Sequence, residues 1–353
     1  MIHAERYWKI QLASLVIFVG MTMFVLSGCS GNSNQEVSPT SGTITVYTAI
    51  ESELVTQFLE AFNARYPDIN VNVVRDSTGV ITARLIAEAN NPQADLVWGT
   101  AASSMMVLEG MGMLEPYAPE GLEHILPMFR SEQETPTWVG NVAWETAFIV
   151  NTVELARLGL SIDDIRCYED LLRPELTGHV VMPAPASSGT GFLTVTAILQ
   201  LFGRDTDAGW EFFDRLNNNI SQFTHSGSAP ATMAATGETV IGVSFGYAGI
   251  TQQRRGVPVE IIWPAMGSGW DMEANALMAK DNIHPAARTF LDWAISDEAM
   301  ALYNESFPII ATGGGNNMDG YIGNPVDQLI ENDFVWIAEN REAILARWAR
   351  EIN

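Results

Sequence analysis

The chain has 353 residues, 47% of them hydrophobic, which is enough for two domains of ordinary size with packed cores and excludes a disordered polyanion. With 18 basic and 42 acidic residues its formal charge is −24, a field that repels phosphodiester backbones and argues against nucleic acid as a partner.

At the N-terminus "RYWK" precedes the apolar run "LASLVIFVGMTMFVL", the pattern of a secretory signal over residues 1–28. Leu26, Ser27, Gly28 and Cys29 resemble a bacterial lipobox, in which cleavage before Cys29 exposes a thiol that receives lipid. The alternative is a membrane-spanning anchor that happens to contain Cys29, for which the apolar run is short. Either way the rest of the chain faces outward. Residues 29–42, largely "SGNSNQEVSPTSG", form a polar tether with too little apolar surface to pack. Once Cys29 is lipidated, Cys167 is a lone thiol and no intrachain disulfide can form, so core burial has to hold the fold together.

After the tether, "TITVYTAI" alternates as a strand does, and "SELVTQFLEAFNARY" places Leu54, Val55, Phe58, Leu59 and Phe62 on one helical face. Pro67 stops that helix. "INVNVVR" predicts a second strand, "VITARLIAEA" a second helix, and "ADLVWG" a third strand leading into the helix "AASSMMVLEGMGML". This β-α-β-α-β-α order implies an α/β fold with mainly parallel sheets and flanking helices. Further along, "HVVMP", "VIGVSF" and "VEIIWP" predict buried strands, while "GFLTVTAILQLFG" and "AGWEFFDRL" predict helices, so a second α/β lobe is expected. "AARTFLDWAISDEAMALYNESF" reads as one long helical pattern, and "WIAENREAILARWARE" offers an apolar stripe of Ile337, Ile344, Leu345 and Trp348.

Open parallel sheets bind ligands beyond the carboxyl ends of their strands, where strand-to-helix loops present backbone N–H groups. Those loops are "YTAIES", "RDSTGV", "WGTAASS", "PASSGTG", "THSGSAP" and "SFGYAG"; they are rich in Ser, Thr and Gly, and none holds a lysine. Helix N-termini, glycines and hydroxyls together can hold a small anion without a cationic side chain, which matters in a body that repels anions at long range. Each loop alone is equally a set of N-caps, and Thr48 with Glu51 fits a capping box. The ligand reading rests on loops from both halves converging on one cleft.

"GVSFG" matches the G-x-S-x-G elbow of serine hydrolases, with Ser244 as nucleophile. Such an enzyme needs a later histidine, and only His284 follows, at what reads as a helix start. The chain holds no G-K-[ST] phosphate loop and no G-x-G-x-x-G after a strand. His3, His124, His179, His225 and His284 are scattered, and no second cysteine lies near Cys167, so no metal site is expected.

The lipobox, tether and paired α/β lobes resemble a substrate-binding protein of an ABC importer, over nearly all of residues 43–353. "VYTAIE", "VRDSTGVITARLIAE", "PQADLVWGTAASS", "PASSGTGF", "THSGSAP" and "GWDMEA" resemble the branch that takes 2-aminoethylphosphonate, whose relatives bind ferric iron or sugar phosphates. The resemblance implies a two-lobed fold that hinges shut on its ligand. One lobe would take residues 43–147 plus 265–353 and the other 148–264. It also implies a monomer without cofactor that delivers its ligand to a permease and performs no chemistry. Ferric relatives carry adjacent tyrosines, whereas Tyr247 and Tyr303 stand alone here. The residues expected at the phosphonate end are Thr48, Ser77, Thr78, Ser103, Ser187, Ser188, Gly189, Thr190 and Ser226. For the ammonium, Glu51, Glu145, Asp271 and Glu273 are candidate counter-charges, and Trp98, Trp144, Tyr247 and Trp270 candidate aromatic faces. Asp271, after a glycine-rich turn, is the first choice, unless it only hydrogen-bonds its own turn. His225 either assists the phosphonate or satisfies a neighbour.

Overall fold

The computed structural model describes residues 38–315 and 324–352. The signal, the lipobox Cys29 and most of the tether lie outside the described residues. The described residues begin inside the expected tether: the Thr289 hydroxyl donates to the Pro39 carbonyl at 2.7 Å, and the first strand already includes Gly42.

The predicted alternation of strand and helix is present. Strands β1 (Gly42–Thr48), β2 (Ile69–Arg75) and β3 (Leu96–Ala101) are separated by helices α1 (Ser52–Arg65) and α2 (Thr78–Ala87), and α3 (Ala102–Gly110) follows directly. The α1 helix buries Leu54, Val55, Phe58 and Phe62, the face its spacing predicts. A short β4 (Leu114–Glu115) precedes β5 (Val139–Asn151) and α4 (Thr152–Arg157). The second lobe continues with β6 (Val180–Pro183), α5 (Gly189–Phe202), α6 (Ala208–Asn217), β7 (Ile220–Thr224) and α7 (Ala229–Thr236). Then come β8 (Ile241–Phe245), α8 (Gly246–Arg254), β9 (Val259–Ile262) and β10 (Trp270–Met278). Helices α9 (Pro285–Ala294), α10 (Asp297–Tyr303) and α11 (Phe334–Glu351) complete the chain.

The sheet runs β2-β1-β3-β10-β5-β8-β6-β7, with β4 beside β10 and β9 beside β5. It is less parallel than expected. The outer pairs β1/β2, β1/β3, β6/β7 and β6/β8 are parallel, but every pair through β5 or β10 is antiparallel. These two are the crossing strands: Val139–Glu145 of β5 pairs with β10, while Thr146–Asn151 pairs with β8 and β9. All 13 residues of β5 are buried, so it has no polar face and no alternation for a sequence pattern to reveal.

Two helical readings change. The long pattern after Pro285 breaks at Ser296, whose Oγ accepts from the Ala299 N–H at 3.3 Å and starts a new helix. Helix α11, expected in the first lobe, packs against both: it lies along α3, while Ile337, Ile344 and Trp348 are buried in the second core cluster with Phe213 and Val243. The first cluster spreads from β1–β3 and α1 along β5 to α8.

Candidate functional site

The β2 strand ends at Arg75 and α2 begins at Thr78, with Ser77 as its cap; neither the Ser77 nor the Thr78 hydroxyl has a hydrogen-bond partner among the described residues. In the other lobe β6 ends at Pro183 and α5 begins at Gly189, where Ser188 Oγ accepts from the Gly191 N–H at 3.2 Å. The two helix starts meet across the cleft. The Gly79 N–H donates to the Ser187 carbonyl at 2.8 Å, and a Cβ on Gly189 would lie 2.7 Å from Thr78 Oγ1. Two partial positive charges and their free N–H groups therefore point into one small space.

That space is a partly open cavity of about 50 Å³ lined by Ser77, Thr78, Ser188, Gly189, Thr190 and Gly227, together with Ala49, Glu51, Leu54, Arg75, Gly99, Trp144, Phe245, Glu273 and Phe307. Arg75 lies in the quoted loop "RDSTGV", but sequence reasoning dwelt on the missing lysines and overlooked it. Its Nε donates to the Ile50 carbonyl at 3.0 Å and its Nη2 to Glu51 Oε2 at 3.1 Å. Burial raises the Glu51 carboxyl above its ordinary value against the opposing pull of Arg75. Glu273 is the other acid; its Oε2 is sequestered from solvent and has no hydrogen-bond partner among the described residues. Burial first, then the charge of Glu51, pushes its carboxyl up to about 8. Phe245 and Phe307 are further lining residues that the sequence did not single out; both are apolar and sit at element ends.

The remaining candidates lie elsewhere, each for a local reason. Thr48 is buried, and its Oγ1 accepts from the Ile50 N–H at 3.1 Å; the expected capping box is absent, since Glu51 is itself the α1 cap and turns to Arg75. Ser103 and Asp271 engage each other: β10 begins at Trp270, so Asp271 lies within the strand and not in a turn, and its Oδ1 accepts from the Met272 N–H at 2.7 Å and the Ser103 N–H at 3.3 Å. Asp271 therefore serves the start of α3 and does not line the cavity. Its carboxyl is pushed up to about 6 by burial. Ser187 donates to the His225 carbonyl at 3.0 Å, and Ser226 Oγ accepts from the Ala229 N–H to start α7.

Glu145 accepts from the Trp263 indole at 3.0 Å. Among the aromatic candidates only Trp144 lines the cavity. Trp98 is fully buried and donates to the Tyr303 oxygen at 2.7 Å, while Trp270 donates to the Ile330 carbonyl and packs edge-on against Phe334. Tyr247 stacks on Phe307 and lines an adjoining pocket with Glu51 and Ser228. His225 reaches across the lobes to Asp76 at 2.8 Å and lies outside the cavity lining.

Ser244 is fully buried and its hydroxyl donates to the Gly227 carbonyl at 2.7 Å, while His284 caps α9 through Nδ1, so the hydrolase alternative has neither an exposed nucleophile nor a base beside it. A larger groove of about 960 Å³, lined in part by Met106, Met128, Trp138 and Phe334, shares no residue with the cleft. No helix among the described residues is long and apolar enough to cross a membrane, and among them no group of three or more His, Cys, Asp or Glu is placed to hold a metal ion.

Comparison with known proteins agrees with this geometry. The family model described as "Bacterial extracellular solute-binding protein" matches residues 57–312. An uncharacterized protein of Haemophilus influenzae is 30% identical over 331 residues, 92% of this chain and 93% of its own. A probable ABC transporter periplasmic-binding protein of Sinorhizobium fredii is 25% identical over 271 residues, 75% of this chain and 73% of its own. Among solved structures, the periplasmic binding protein AfuA from Actinobacillus pleuropneumoniae, with fructose-6-phosphate bound, superposes with a TM-score of 0.81 at 27% identity, covering 88% of this chain and 99% of its own. The periplasmic binding protein P5PA gives 0.81 at 25% identity, covering 89% and 100%. With its two α/β lobes, its crossing strands and a cleft built from helix starts of both, the chain belongs to the bacterial extracellular solute-binding proteins, exported carriers of ABC transporters.

Proposed function

We propose that this receptor captures a small phosphonate, 2-aminoethylphosphonate in the first place, and hands it to the permease of an ABC importer while held to the membrane as a monomer through lipid on Cys29. One observation carries the reading: the starts of α2 and α5, from opposite lobes, converge with Arg75 on a single small cavity. The three terminal oxygens of a phosphonate would meet the N–H groups of Thr78, Gly189 and Thr190, the Ser77 and Ser188 hydroxyls, and the guanidinium. Glu51 and Glu273 supply the opposite polarity for an ammonium, with Trp144 as an aromatic face. Asp271 and Glu145, occupied elsewhere, drop out of that role.

A second reading is a sugar phosphate, because AfuA is seen with fructose-6-phosphate. The lining favours the amine-bearing ligand: Glu51 and Glu273 offer counter-charges that a hexose phosphate, with hydroxyls only, does not need. The test is a thermal-shift and calorimetric comparison of 2-aminoethylphosphonate, ethylphosphonate and fructose-6-phosphate. A ligand bound by the native state alone raises the melting temperature by mass action. The phosphonates should do so and the hexose phosphate should not; the reverse order would overturn the proposal.

A further inference from the structure

Resting on the amine-bearing ligand just proposed, we infer that Glu273 holds a proton in the empty cleft and releases it when the ligand's ammonium arrives, so that capture is coupled to the loss of one proton. Glu273 sits in the middle of β10 opposite Ala101 of β3, and its side chain lines the cavity. Its Oε2 is sealed from solvent without a hydrogen-bond partner among the described residues, 3.3 Å from where a Cβ on Gly99 would stand.

The charged and titratable groups around it do not compensate. Glu51, from the start of α1, has the same sign. Arg75, from the end of β2, is turned to Glu51 and the Ile50 carbonyl. Tyr303, from α10, is a buried phenol whose oxygen accepts from Trp98 and Asn141. Asp271, two residues earlier on the same strand, is tied to the start of α3. Glu273 as a residue is only partly buried, but its Oε2 is sealed without a donor or a counter-charge, which makes ionisation costly and favours the acid form in the empty cleft. The carboxyl near 8 agrees with this.

An ammonium brings the three N–H donors and the positive charge that an ionised Glu273 lacks. On capture the O–H bond of the carboxylic acid breaks and its proton leaves to solvent. The ligand nitrogen keeps all three of its protons and donates to the new carboxylate, so charge and atoms balance. An alkylphosphonate has nothing to replace the proton and binds with Glu273 still protonated. The residue thus selects amine-bearing phosphonates and links their capture to pH.

Calorimetric titration at pH 7.5 in two buffers of different protonation enthalpy reads the proton directly. At that pH the phosphonate itself is mostly a dianion, taking about 6 for its second pKa by analogy with phosphate esters. The wild-type protein should release most of one proton per 2-aminoethylphosphonate and none with ethylphosphonate. Glu273→Gln should release none with either. Wild-type affinity for the amine ligand should also fall by up to about tenfold per pH unit below about pH 8. Equal release by wild type and variant overturns the coupling and leaves the receptor reading intact.

A ligand-free arm decides the inference independently. The folded protein keeps a proton that the unfolded chain loses near its ordinary 4.5, so wild-type stability should fall between about pH 5 and 8 relative to Glu273→Gln. Coincident profiles overturn the inference even where no phosphonate binds. Diverging profiles without any phosphonate binding support the proton on Glu273 and overturn the ligand reading instead.

Discussion

Arg75 and Asp271 exchange the importance that their sequence contexts suggest. Asp271 follows glycines and an aromatic and looks like a cleft residue, but it lies beside the α3 start, and its Oδ1 accepts from the Ser103 and Met272 N–H groups. Asp271→Asn should accordingly leave 2-aminoethylphosphonate affinity within about threefold. Its carboxyl is raised from 3.8 to about 6, so the stabilisation from holding a proton is complete below about pH 3.8 and lost as pH rises through 6. The Asn variant does not titrate, though its amide N–H2 would face the Ser103 and Ala102 donors, so its stability should vary less than wild type's between about pH 4 and 7, read from urea unfolding. Arg75→Gln, by contrast, removes a charged donor from the cavity wall. A hydrogen bond to a charged group contributes about 1.5–3 kcal/mol, so affinity for any phosphonate should drop roughly ten- to hundredfold. Unchanged calorimetric affinity in that variant would remove Arg75 from the anion end.

Among the elements, the first turn of α2 is where folding and closure pull apart. Alanine favours a helix over glycine, so Gly79→Ala should be neutral or mildly stabilising for the isolated lobe. In the closed arrangement, however, a Cβ at Gly79 would lie 2.2 Å from the Ala186 carbonyl oxygen of the opposite lobe, and backbone cannot swing aside as a side chain can. Overpacking of that kind costs about 1–3 kcal/mol, and here only the closed state bears it. The expected result is a ten- to hundredfold loss of ligand affinity and a more extended particle by small-angle scattering in the presence of ligand. Wild-type affinity in Gly79→Ala would mean that the two helix starts need not meet. The β5 strand makes the complementary point about legibility: its first half pairs with β10 and its second with β8 and β9, yet uniform burial leaves no periodic signal in the sequence.

For the whole molecule the decisive contrast is between a body of charge −24 and a local nest of donors. The lobes are joined across the cleft by exposed pairs such as His225–Asp76 at 2.8 Å and Arg255–Glu53 at 3.5 Å. Pairs of that exposure contribute only about 0–1 kcal/mol each, so the ligand has to supply much of the closing free energy. A dianion approaching this protein is repelled at long range and captured at short range. Salt screens the first effect with a Debye length of about 8–10 Å and hardly touches the second. The association rate of 2-aminoethylphosphonate, followed through cleft-lining Trp144, should therefore rise with ionic strength; a rate that falls would mean that attraction, not repulsion, governs the approach.

The amino-acid sequence by itself determined the α/β alternation, the two lobes and the hydroxyl- and glycine-rich helix starts, because apolar periodicity and capping chemistry are local and survive in one dimension. Ser77, Thr78, Ser188, Gly189 and Thr190 line the cavity with Glu51, Glu273 and Trp144, while Ser187 does not line it and is bonded to Gly79 through its carbonyl. Only the tertiary structure decided which acid faces the cleft and that a guanidinium is present. Asp271 and Glu273, two apart on β10, share a strand face, and what separates them is the three-dimensional placement of the α3 start beside the first and the cleft beside the second.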